Sequence, residues 1–283
     1  MSALWVVGDV HGAHDKLHAL LMVAGLIDRE GHWTGQEAHL IFLGDYLDRG
    51  PDGIGVIRLV QRLENEAERA GGQVTALVGN HEVMFLAASR FRRIDPTDRI
   101  GFYEYWAGNG GQHHDLERLE GTDITWLSAR PAMARAGEWL LVHADSLFYL
   151  ELGRTVDEIN AKMRELLGST EPGEWGALAN AFVDRLNYAR VQGEALASRL
   201  LQTVGGSRIV HGHTPVHLLL AENEQNIDAP TTAPIAYAGG RCLDMDSGMA
   251  YFSDAGFIAR LGTDGVEEVV SVPDGLFELH GAF

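Results

Sequence analysis

The chain has 283 residues, a hydrophobic fraction of 46% and a formal net charge of −18, which fits a globular α/β protein with ample apolar material for a core. So acidic a chain argues against nucleic acid as a partner, because phosphate backbones are gripped by clustered Lys and Arg. Cys242 is the only cysteine, which excludes an intramolecular disulfide framework and favours a reducing compartment. With no run near the roughly 18 apolar residues of a membrane span and no basic leader before the first strand, a cytoplasmic protein without membrane attachment is expected.

Met1 to Val7 reads as a strand and runs into Gly8-Asp9-Val10-His11-Gly12. A helix follows over Asp15 to Ala24, with Leu17, Leu20, Leu21 and Ala24 at helical spacing. His39 to Leu43 is the second strand, ending in Gly44-Asp45-Tyr46-Leu47-Asp48-Arg49-Gly50. Ile54 to Ala70 is the second helix, with Val56, Leu59, Val60, Leu63 and Ala67 on one face and Gly71-Gly72 stopping it. Val74 to Val78 is the third strand, ending in Gly79-Asn80-His81-Glu82. This alternation predicts a parallel βαβαβ half. Ligands gather at the carboxyl ends of such strands, where all three runs lie.

From Arg90 to Arg130 aromatics mix with the Gly108-Asn109-Gly110-Gly111 turn, which suggests helices and loops covering one side of a site. Trp139 to Val142 is a short strand ending in His143, and Thr155 to Leu201 is helical with a break at Glu171-Pro172-Gly173. Arg208 to Val210 is a strand running into His211-Gly212-His213-Thr214-Pro215. Ile235 to Ala238, Ala250 to Ser253 and Val266 to Val272 read as β hairpins, and Glu222 to Pro234 as a mobile loop. With no repeat or linker, residues 1–283 are expected to form one domain, with 90–130 and 150–205 as cap or helical insertions.

Two carboxylates, imidazoles and an amide at strand ends are the raw material of a two-metal hydrolytic site. Asp9 and His11, on alternate positions of one turn, can reach one ion, and Asp45 can bridge two because a carboxylate has two oxygens. Asn80 offers a neutral carbonyl, and His143 and His213 would complete the second ion. This Asp/Asn/His set suits Mn, Fe or Zn better than Ca. A water activated between two ions needs no protein nucleophile, and no G-x-S-x-G elbow is present. His81 is a candidate acid with Asp48 as its orienter, and Arg49 could grip phosphate. Strand-end His211 could equally pack beside such a site.

G-D-x-H-G, G-D-x-x-D-R-G and G-N-H-E in this order resemble the calcineurin-like metallophosphoesterases, and within them the phosphoprotein phosphatase family with its bacterial Ser/Thr phosphatases. The resemblance resumes at Leu141-Val142-His143-Ala144 and Gly212-His213-Thr214-Pro215. It implies an α/β (α+β) fold, a central β-sandwich flanked by helices. It further implies two divalent ions, Mn foremost, with Asp9, His11 and Asp45 on one and Asp45, Asn80, His143 and His213 on the other. His81 with Asp48 would be the acid pair, and Arg49 plus a later arginine would hold phosphate. Asn187-Tyr188-Ala189-Arg190 resembles the segment carrying that arginine in bacterial members, so Arg190 is expected there, with Arg185 as runner-up.

Phosphodiesterase-like relatives place a second histidine where this chain has Pro215. Diadenosine tetraphosphate hydrolases tend to lose the acid partner in the second motif and to end the third in Asp, whereas this chain keeps Asp48 and Glu82. The expected activity is therefore a dimetal phosphomonoesterase acting on phosphoproteins (Ser, Thr or Tyr) and small phosphoesters. A dinucleoside polyphosphate hydrolase is the first alternative and an inactive metal-binding scaffold the second.

Overall fold

The structure, a computed structural model, describes residues 2–91, 101–222 and 232–271. Among the described residues, ten strands form two mixed five-stranded sheets. The first contains β1 (Leu4–Val7), β2 (His39–Phe42), β3 (Gln73–Ala76), β9 (Phe257–Leu261) and β10 (Val266–Ser271) in the order β10-β9-β1-β2-β3. The second contains β4 (Met133–Ala136), β5 (Trp139–Val142), β6 (Arg208–His211), β7 (Ile235–Tyr237) and β8 (Cys242–Asp244) in the order β4-β5-β6-β8-β7. β1, β2 and β3 are parallel, as are β5, β6 and β8, with antiparallel strands only on the flanks.

Strand periodicity divides the core. Val6, Ile41, Leu141, Val210 and Leu243 point between the sheets into one apolar cluster. Their neighbours Trp5, Val7, Leu40, Phe42, Leu140, Val142 and Ile209 join a second, larger cluster beneath the helices. Both faces are thus buried, which is why these strands read as continuous apolar runs rather than alternating ones.

The first two helices are α1 (His14–Val23) and α2 (Gly53–Ala70). The Asp52 side chain caps α2 by accepting from the Gly55 N–H at 2.8 Å, and Gly71 ends it in a left-handed conformation. α3 (Asn80–Phe91) carries the third motif. α4 (Phe102–Gly108), α5 (His113–Arg118) and α6 (Gly121–Ser128) occupy the aromatic-rich stretch. α7 (Tyr149–Leu152), α8 (Val156–Gly168), α9 (Pro172–Phe182) and α10 (Gly193–Val204) follow, and Pro172 opens α9, which explains the break seen in the sequence. α11 (Val216–Glu222) follows β6. Among the described residues no helix is long and apolar enough to cross a membrane.

The expectations differ from the structure in a few places. Ala250 to Ser253 forms turns rather than a strand, and β4, β8 and β9 were not foreseen. β4 (Met-Ala-Arg-Ala) carries too little β-branched character to signal a strand, and its pairing with β5 decides it. Most of the expected mobile loop, 223–231, lies outside the described residues.

Ile41 is fully buried between the sheets. In urea titration, Ile41→Ala is expected to lower the unfolding free energy by about 2–5 kcal/mol. Val23→Ala, at a residue 59% exposed, should change it by less than ~0.5 kcal/mol.

Candidate metal centre

Five strand ends converge on one edge of the sandwich. Asp9 and His11 follow β1, Asp45 follows β2, Asn80 and His81 open the helix after β3, His143 follows β5, and His213 follows β6. All seven are 0–3% exposed. Close backbone approach locks the turns together. A Cβ on Gly212 would stand 2.1 Å from Asp9 Oδ1, and one on Gly79 would stand 2.2 Å from Asp45 Oδ1. His11, Asp45, Asp48, Arg49 and His213 all adopt left-handed backbone, with φ between 47° and 70°. Such conformations are uncommon without glycine and concentrate where a surrounding fold fixes functional groups.

Asp45 sits at the centre. Its Oδ2 lies 3.5 Å from His11 Nε2 and its Oδ1 lies 3.4 Å from His143 Nε2, so one carboxylate faces two imidazoles through different oxygens. Oδ1 also accepts the His81 N–H at 3.0 Å. Two groups of ligand-type atoms result, His11–Asp45–His81 and Asp45–His143–His213, each with its atoms within 4.8 Å of one another. Asn80 Oδ1 lies 3.0 Å from His143 Nε2, beside the second group. Asp9 stands at the margin of the first, with Oδ2 3.8 Å from His11 Nε2 and both oxygens accepting the His213 N–H at 2.9 and 3.1 Å.

The donor set fits divalent ions. His11 Nδ1 donates to the Leu47 carbonyl at 2.9 Å, His143 Nδ1 to the Leu43 carbonyl at 3.0 Å, and His213 Nε2 to the Val183 carbonyl at 3.3 Å. Each ring therefore turns its other nitrogen, with its lone pair, toward the cluster. Burial pushes the pKa of all three below the ordinary imidazole value. Burial also opposes ionisation of Asp45, but the imidazoles of His143, His81, His11 and His213 outweigh it and hold its carboxyl well below the usual range. Asp9 is raised by burial and by the charges of Asp246 and Asp45, and burial pushes Asp246 up to about 6. Three buried carboxylates so close together are what bound cations would relieve.

Beside the cluster, His81 Nδ1 lies 2.6 Å from Asp48 Oδ2, and Trp106 Nε1 donates to Asp48 Oδ1 at 2.7 Å. Asp48 and Trp106 are fully buried, so Trp106 braces the pair from behind rather than lining a cleft. The aromatic stretch around it read as helices and loops covering one side of the site. Glu82 is also a supporting group. Its carboxylate accepts the backbone N–H groups of Asp45 (2.8 Å), Tyr46 (2.9 Å) and Gly79 (2.9 Å), tying the second and third motifs together. Arg49 donates from Nη1 to His11 Nε2, and its guanidinium lies 5.0 Å from the Tyr251 ring centroid.

The two candidates for the later arginine are placed differently. Arg190 is exposed, whereas half-buried Arg185 stands close enough for its charge to act on His143, His213 and Asp246. The tight turn at Leu186, with φ 63°, sets the direction of this segment, and no spacing rule announces it. His211 faces away from the cluster. Its Nδ1 donates to the Gly212 carbonyl at 2.9 Å and its Nε2 accepts from the Tyr237 hydroxyl at 2.7 Å.

Trp106→Phe should lower kcat by about 10-fold or more with the fold retained, because it removes a hydrogen bond to a buried charge. Steady-state kinetics with a thermal melt would check this. Because burial depresses the ligand imidazoles, Mn binding followed by calorimetry should persist as pH falls through ~6.5, where an ordinary histidine protonates.

A family model for calcineurin-like phosphoesterases matches residues 3–217. Shewanella-like protein phosphatase 2 of Arabidopsis thaliana is 41% identical over 81 residues, 29% of this chain and 21% of that protein. A symmetrical bis(5'-nucleosyl)-tetraphosphatase of Methylococcus capsulatus is 27% identical over 147 residues, 50% of this chain and 42% of that protein. Both matches therefore span less than half of the relative's length. The fold is shared with a cold-active protein-tyrosine phosphatase of a psychrophilic Shewanella species, at a TM-score of 0.69 and 23% identity over 94% of this chain and 77% of that one. The match over residues 3–217, laid on two sheets whose strand ends gather the Asp, Asn and His cluster, shows that the chain belongs to the calcineurin-like phosphoesterase family.

Proposed function

We propose that the chain is a dimetal-dependent phosphomonoesterase acting on phosphorylated Ser, Thr or Tyr of proteins, with small phosphoesters also accepted, in the cytoplasm. The observation that carries this reading is the Asp45 carboxylate set between His11 and His143, with the His81–Asp48 pair and Arg49 alongside. Asp9, His11 and Asp45 would hold one ion, and Asp45, Asn80, His143 and His213 the other. Mn is the first choice, with Fe and Zn suited to the same donors. When bound, the ions supply Lewis acidity and an activated water.

The chain's own residues do the rest. Arg49 and, in this reading, Arg185 rather than Arg190 grip the phosphoryl oxygens and hold the ester in line. His81 keeps Nδ1 on Asp48 and delivers a proton from Nε2 to the departing oxygen. Asp48 steadies the imidazolium, and Trp106 holds that carboxylate in its rotamer. The described residues of 90–130, together with 150–205, act as a cap on a single catalytic domain.

A second reading, hydrolysis of a dinucleoside polyphosphate, is favoured by the bis(5'-nucleosyl)-tetraphosphatase relative. The two separate in a paired assay of Mn-loaded protein on phosphopeptides and on diadenosine tetraphosphate. A higher kcat/KM on phosphopeptides is expected, and preference for the dinucleotide would overturn the protein-phosphatase reading. No turnover of any phosphoester with Mn, Fe or Zn would leave a metal-binding scaffold. Asn80→Ala should abolish hydrolysis with an unchanged melt, and an active variant would contradict the ligand assignment.

A further inference from the structure

Lys16 is a buried cation that the chemistry above leaves unused. It lies on α1, is 6% exposed, and aims its ammonium at residues 249–255, more than two hundred positions away. Nζ donates to the carbonyls of Met249 at 2.8 Å, Phe252 and Ala255 at 3.0 Å. Three acceptors match the three N–H bonds of an ammonium, so the group acts as a three-point clamp. Burial lowers its pKa to about 8 against the opposing charge of Asp254, a cost the three charge-assisted bonds offset.

Among the described residues, the clamped segment's own backbone hydrogen bonds are short-range. Tyr251 N–H donates to the Gly248 carbonyl at 2.8 Å and Ala255 N–H to the Phe252 carbonyl at 3.3 Å. Yet it carries Tyr251, whose ring centroid lies 5.0 Å from the Arg49 guanidinium and 6.4 Å from the His11 ring. On its other side Arg49 is held by the glycine turn. Its N–H donates to the Gly110 carbonyl at 2.8 Å, and a Cβ on Gly110, already at φ +95°, would stand 2.8 Å from Arg49 Cγ. Arg49 is thus gripped between a turn that needs glycine and an aromatic ring whose segment is fastened by Lys16.

We propose that Lys16 is a positioning residue for phosphate binding, docking residues 249–255 onto α1 so that Tyr251 sets the Arg49 guanidinium. This rests on the reading of Arg49 as a phosphate ligand. The test compares wild type, Lys16→Met, Tyr251→Ala and the double variant, each Mn-loaded, in calorimetric titration with inorganic phosphate and in amide hydrogen exchange. Losing the Tyr251–Arg49 contact, a cation–π pair of two half-buried groups worth about 0.5–1.5 kcal/mol, should weaken phosphate binding roughly 2- to 12-fold. Lys16→Met should show a comparable loss, with faster exchange in 249–255, and the double variant should bind no worse than Tyr251→Ala alone. If Lys16→Met does not fold, Lys16→Gln carries the same expectation.

Unchanged phosphate affinity in folded Tyr251→Ala overturns the proposal, as do additive losses in the double variant. Wild-type protein that fails to bind phosphate would overturn the Arg49 reading itself, and the positioning role with it.

Discussion

A carboxylate removed from water must be met by cations or hydrogen bonds, and the rest of this structure is arranged around how Asp45 meets that demand. At 1% exposure it presents one oxygen to His11 and the other to His143. Its backbone N–H is drawn to Glu82, which also collects the N–H groups of Tyr46 and Gly79. The loop therefore cannot turn Asp45 away from the cluster without stranding a buried carboxylate. With Asp246 and Asp45 close enough to raise Asp9, the centre is an anionic hole in the protein that divalent ions answer directly.

The sandwich exists, functionally, to hold five strand ends at one edge. Parallel β1, β2 and β3 in one sheet and β5 and β6 in the other end side by side, and the apolar layer headed by Val6, Ile41, Leu141 and Val210 keeps the sheets in register. Left-handed backbone at five site residues costs of order 1–3 kcal/mol each, and persists only because the surrounding packing over-determines it. The sheet core thus supplies the stability that the ligand turns consume.

Much of this was legible in the sequence for physical reasons. Fully buried strands read as apolar runs, and Gly-flanked Asp, Asn and His at their ends can be placed because strand length and direction fix where each run stops. Asp9, His11, Asp45, Asn80, His81, His143 and His213 were all named, and the structure brings all seven to one edge, with Asp9 at its margin. What remained hidden depends on long-range contact. Trp106 bonds Asp48 across 58 positions, and Lys16 reaches the carbonyl of Ala255 across 239. No local pattern encodes such pairings. That Arg185 is half-buried and Arg190 exposed was not legible either, since the left-handed Leu186 beside Arg185 is a conformation its side chain does not announce. β4, β8 and β9 were missed because β4 is too weakly patterned, β8 is only 3 residues long, and β9 follows a stretch that reads as a strand but folds as turns.

The central claim, that Asp45 serves two ions at once, is tested most directly by metal stoichiometry. Mn-loaded protein, freed of excess metal by gel filtration, would be analysed by elemental mass spectrometry as wild type and as Asp45→Asn. Two equivalents of Mn per wild-type chain are expected, with both lost from tight binding in the variant. A single equivalent in wild type, or two retained by Asp45→Asn, would contradict the claim.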